Sequence, residues 1–163
     1  MKAKGIWDFD VYDINDDLLQ SFKVKNQITL DGSRVFCKSM TPNEAVVTPQ
    51  YNANVVPAYW LQRRTWSMVF GTSVVQVSSS NIGLGVKVLE KLSSDGSSSL
   101  AQAGGEWVYT TRVDTDDGNG YTLREAGLYD NNRASFISRV LIEPVIIKSS
   151  AVWFDVTATI QYV

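Results

Sequence analysis

Between residues 152 and 162 every second side chain is apolar: Val152, Phe154, Val156, Ala158, Ile160 and Tyr162. Trp153, Asp155, Thr157, Thr159 and Gln161 alternate with them. A period of two belongs to a strand, whose successive side chains point to opposite faces. A helix would scatter the same apolar residues around its circumference. One face of this strand is expected to meet a core and the other to meet solvent or a partner. Two more strand-like runs precede it, at residues 121–130 and 136–147.

The same alternation recurs upstream. Trp7, Phe9 and Val11 alternate with Asp8 and Asp10, and Phe22 and Val24 with Lys23 and Lys25. Trp66, Met68 and Phe70 form a further set, as do Trp107, Tyr109, Thr111 and Val113. The punctuation between these runs suits turns. Asp31-Gly32 separates residues 28–30 from 35–37 as in a hairpin. The glycines of Asp116-Asp117-Gly118-Asn119-Gly120 supply positive φ before the run at 121. Residues 130–133 and the pair Ser149-Ser150 separate the last three runs. Pro144 lies within an apolar run and predicts an edge, a bulge or a strand leaving its sheet. Residues 86–92 read as a strand, although the run also suits one or two helical turns. Many short strands with turn signals predict an all-β fold, an antiparallel β-sandwich with few or no helices.

The chain is expected to form a single domain over residues 1–163. That length buries roughly 68–70% of the surface that the unfolded chain exposes, enough for one core. Residues 41–57 hold three prolines and little alternation, which predicts an extended arm or loop. Residues 93–99 are small and polar and predict an exposed loop. Formal charge is −2 with no long run of either sign, so neither a nucleic-acid footprint nor a membrane-binding basic face is expected. No secretory-signal pattern follows Met1. Cys37 is the only cysteine, which excludes an internal disulfide and suits synthesis in a reducing cytoplasm.

Histidine is absent, and with it the Ser-His-Asp device and His-ligated zinc. Glu106, Asp114, Glu125 and Asp155 are acids of the type that cleaves glycosides, but sequence gives them no mutual spacing. Residues 114–120 resemble a calcium loop superficially. Gly118 stands at the fifth position and Asn119 at the sixth, which displaces the turn-forming glycine and favours a hairpin turn. Gly83-Leu84-Gly85 lacks the third glycine of a dinucleotide fingerprint. No catalytic, cofactor or metal residue is therefore assigned.

The order of these runs resembles that of small β-sandwich virion proteins of tailed bacteriophages, found among neck, tail, baseplate and fibre-attachment components. The resemblance is carried by Leu123-Arg124-Glu125-Ala126-Gly127-Leu128-Tyr129-Asp130, by Ser138-Arg139-Val140-Leu141-Ile142-Glu143-Pro144-Val145-Ile146-Ile147-Lys148 and by the terminal Thr-rich strand. It is strongest over residues 107–163 and extends to 6–30 and 60–72. It implies a non-enzymatic structural role. Several copies would bind one another and other virion proteins, with fibre attachment among the implied roles, after synthesis in the host cytoplasm. It implies no cofactor, nucleic acid or membrane. A short helix that the resemblance implies after the second strand is not read in residues 41–57.

Candidate partner contacts are Tyr59, Trp60, Arg63, Arg64, Arg124, Glu125, Trp153 and Asp155. Trp153 shares the polar face of its strand and is expected to be exposed, as a protein anchor or a sugar-stacking platform. The second use, with Tyr59 and Trp60, corresponds to the alternative reading, a carbohydrate- or host-receptor-binding module of a tail appendage. Arg63 and Arg64 are too few for a nucleic-acid patch. Arg124 and Glu125 are expected to pair across strands or at a subunit contact. Gly127 is expected at a bulge or a close backbone approach.

Overall fold

The alternating runs all become strands. The computed structural model describes residues 3–28, 66–76, 83–94, 98–103, 106–131 and 135–162. Among them are nine strands and no helix. In chain order these are β1 (Ala3–Asp13), β2 (Leu18–Ile28), β3 (Trp66–Gly71), β4 (Lys87–Leu92) and β5 (Ser98–Ala103). β6 (Glu106–Val113), β7 (Thr122–Asp130), β8 (Ser135–Ile147) and β9 (Val152–Tyr162) complete the set. The arm expected at residues 41–57 and the hairpin expected at 28–37 extend beyond the described residues, as do Tyr59, Trp60, Arg63 and Arg64.

Every pairing is antiparallel, and the strand order is β4-β3-β7-β8-β2-β1-β9-β6-β5. Among the described residues the continuous order folds into two layers at one narrow join, where Gln27 and Ile28 of β2 pair with Arg139 and Ser138 of β8. On one side lie β5-β6-β9-β1-β2, and on the other β4-β3-β7-β8. The inner faces meet through aromatic rings. Phe70 of β3 meets Phe154 of β9 edge to face at 5.5 Å, and Trp66 meets Tyr109 of β6 at 5.0 Å. Phe154, Val156, Ala158 and Ile160 are fully buried in the single core cluster that also contains Trp7, Phe9, Trp107 and Leu128. The chain is an antiparallel β-sandwich. Each large side chain sealed in that core contributes about 1.5–3 kcal/mol of transfer free energy, set against the conformational entropy lost on ordering it.

β3 departs from simple alternation, since all six of its residues are buried. Met68 and Phe70 face the core. Ser67 points the other way, where its hydroxyl donates to Glu90 Oε1 at 2.8 Å. Pro144 belongs to a bulge, and the strand does not leave its sheet there. β8 pairs with β7 up to Leu141 opposite Glu125 and resumes at Ile146 opposite Leu123, so residues 142–145 oppose Arg124 alone. Gly127 lies on a close approach: a Cβ there would overlap ring carbons of Phe136. The register shift falls one residue later, between Leu128 and Tyr129.

Candidate interaction surface

Three clusters of polar and aromatic side chains stand out. The first is centred on Glu125 in β7. Neighbouring residues of a strand point to opposite faces, so Arg124 and Glu125 do not share one. The expected exposed Arg124–Glu125 pair is replaced by a buried pair from the adjoining strand. Arg139 of β8 donates from Nε at 3.0 Å and Nη2 at 2.7 Å to Glu125 Oε2. Both side chains are sealed from solvent, so Glu125 is not a surface contact.

The carboxylate also gathers backbone. The amides of Ser73 (3.3 Å) and Val86 (3.1 Å) donate to Oε1, and that of Gly85 (3.1 Å) to Oε2. Arg139 Nη2 donates in turn to the Val75 carbonyl at 3.0 Å, and the Thr72 amide to the Val86 carbonyl at 3.1 Å. A Cβ on Gly71 would overlap the Glu125 carboxylate. That explains why a glycine ends β3. The charge pair thus pins both described ends of the β3–β4 connection, residues 72–76 and 83–86. These segments carry Val74, Val75 and Val86 outward, at 69%, 60% and 53% exposure.

The second cluster is on the outer face of the five-stranded layer. Register places Tyr12 opposite Trp153 and Arg112 opposite Asp155. The Tyr12 and Trp153 rings stack at 4.2 Å. The Arg112 guanidinium lies 4.2 Å from the centre of the Trp153 ring. It grips Asp155 with two hydrogen bonds, Nε to Oδ1 at 2.8 Å and Nη2 to Oδ2 at 2.9 Å. Trp153 is therefore half-buried, in contrast to the exposed indole expected from its place on the polar face. Cross-strand neighbours that sequence spacing does not reveal cover it.

The third cluster explains the acidic loop. Lys148 is buried, and its ammonium donates to the Thr115 carbonyl (3.2 Å), Asn119 Oδ1 (3.1 Å) and the Ser149 carbonyl (3.0 Å). Gly118 and Gly120 have φ of 61° and 87°, the positive values the turn needs. Burial pulls the Lys148 pKa down against the opposing field of Asp117, Asp116 and Asp114. Burial pushes Asp117 up. The hydrogen bond from Lys91, the Asp114 amide, and the charges of Lys91 and Lys148 outweigh it, so the net shift is downward. An internal ammonium thus organises oxygens of a loop that superficially resembles a calcium site. Among the described residues no group of three or more metal-ligating side chains converges.

Of the sequence candidates, the structure joins Trp153 and Asp155 through Arg112 and separates Arg124 from Glu125. Arg139, Tyr12, Arg112, Lys148 and the three exposed valines were not anticipated. Only Arg139 and Lys148, which sit within the motif that carries the resemblance, had any sequence signal. Comparison with protein families, curated proteins and solved structures finds no match to this chain.

Proposed function

We propose that this chain is a non-enzymatic structural protein of a tailed-bacteriophage virion, in the tail, neck or baseplate region. It assembles in several copies and binds other virion proteins, fibre proteins among the candidates, after synthesis in the host cytoplasm. The observation that carries this reading is the buried Glu125–Arg139 pair. Desolvating two charges costs several kcal/mol per ion, about as much as their attraction returns. Here the pair fixes the chain on either side of three exposed valines. An apolar surface held rigid before contact loses less entropy on binding, which favours a permanent protein–protein interface. The residues behind the phage resemblance also act together: Glu125 binds Arg139, Phe136 covers Gly127, and Pro144 lies in the adjoining bulge.

Light scattering on the purified protein, with negative-stain microscopy, tests the reading. Multimers or rings are expected, and Val74→Asp with Val75→Asp should reduce them without lowering the melting temperature. A particle that stays monomeric and joins no virion partner contradicts it. The carbohydrate-binding alternative loses one platform, because Tyr12 and Arg112 cover Trp153. Saturable binding on a glycan array that is lost in Trp60→Ala would favour it instead.

A further inference from the structure

Among the described residues, one edge of β2 is paired along almost its whole length and the other is not. β1 covers the first edge from Leu18 to Asn26. On the second, among the described residues, only Gln27 and Ile28 have partners, in β8. From Leu18 to Asn26 that edge offers backbone donors and acceptors at every second residue. Proline is absent from it, and its register against β1 is unbroken from Gln20 to Asn26.

We propose that this edge of β2 accepts an added strand from a partner protein, one whose side chains alternate between carboxylates and apolar groups. The inner face of β2 presents Phe22 and Val24, packed on the core yet only half-buried. Its outer face presents Lys23 and Lys25, both exposed. Leu18 and Leu19, at 57% and 54% exposure, extend the apolar surface at the open end. The strand already seated on the other edge shows what such a surface selects. β1 reads Trp7-Asp8-Phe9-Asp10-Val11. Trp7 lies opposite Val24, Phe9 stacks on Phe22 at 5.1 Å, and Asp8 reaches the Lys23 ammonium at 2.8 Å. Since β2 shows the same alternation to both edges, the same chemistry suits the second.

Charge also selects against a second copy of β2. Two such edges in antiparallel register would crowd Lys23 and Lys25 of each onto one outer face, an arrangement that destabilises pairing. Unsatisfied groups mark the fork where β2 parts from β8. The Asn26 side-chain amide is buried with neither Nδ2 nor Oδ1 hydrogen-bonded. Ser138 Oγ, on the residue paired with Ile28, is likewise buried without a partner. The Asn26 amide lies over Gly5 of β1, away from the second edge, so a strand ending at the fork would approach Ser138 alone.

The source of the strand rests on the assembly reading above, but the edge itself is testable on the isolated protein. The probe is a labelled synthetic peptide containing Trp-Asp-Phe-Asp-Val between capped threonines, with a control in which lysine replaces each aspartate. Saturable binding of the acidic peptide is expected, with slower amide exchange along β2 and unchanged exchange along β1. Lys23→Glu with Lys25→Glu should weaken it about ten-fold and improve binding of the lysine peptide. Failure to bind, equal binding of both peptides, displacement of β1, or full protection of β2 amides before any peptide is added would each overturn the proposal. None of these outcomes touches the multimer measurement, so the two readings fail separately.

Discussion

Glu125 shows how much one side chain can hold. Its carboxylate accepts from Arg139 and from three backbone amides, so removing the arginine leaves a sealed anion with only part of its support. Arg139→Met should lower unfolding free energy by about 3–5 kcal/mol in urea titrations. Adding Glu125→Leu should not restore it, because the amides of Ser73, Gly85 and Val86 then lose their acceptor. Gly127 makes the opposite kind of demand. Gly127→Ala puts a methyl against the Phe136 ring and should cost about 1–3 kcal/mol, with partial recovery in Phe136→Leu. Asp117 supplies the pH dependence. Its folded-state pKa lies below the ordinary value of 3.8, so the folded protein binds its proton less readily than the unfolded chain. The stabilisation is therefore complete above the ordinary carboxylate range and is lost as pH falls through the depressed value. Lys91→Met should move that loss to higher pH, as followed by thermal melts or by carboxyl NMR titration.

At the level of the strand, adjacent residues of β9 should differ sharply. Phe154→Ala empties a buried site between the layers and is expected to cost about 3–5 kcal/mol. Asp155→Ala removes a half-exposed ion pair and should cost about 1 kcal/mol or less. Denaturant titration of both variants separates the two faces. This contrast was legible beforehand, because side-chain alternation is a local property. The runs at 121–130, 136–147 and 152–163 agree with β7, β8 and β9 to within one residue at each end. What depends on register was not legible. Trp153 looked exposed because Tyr12 and Arg112 reach it only through β1–β9 and β6–β9 pairing. Glu125 looked available for Arg124 because its true partner is on the next strand. Pro144 suggested an edge, a bulge or a departing strand, since proline reveals a missing donor but not whether pairing resumes beyond it; the register selects the bulge. Lys148 stood in the resemblance motif, but its burial and partners were not legible, because only the folded turn gathers oxygens around its ammonium.

Over the whole molecule, a sandwich core is joined to several surfaces that the described chain does not fill. The valines clamped beside Glu125 and the second edge of β2 both present ordered structure outward. Under the proposed function, neighbours in a virion complete those surfaces, and the core serves to hold them in place. The most direct measurement is imaging and mass spectrometry of purified phage particles that encode this chain. Several copies should be found at the tail, neck or baseplate, with Val74, Val75 and Val86 against another polypeptide. Intact particles that lack the chain would refute the virion role.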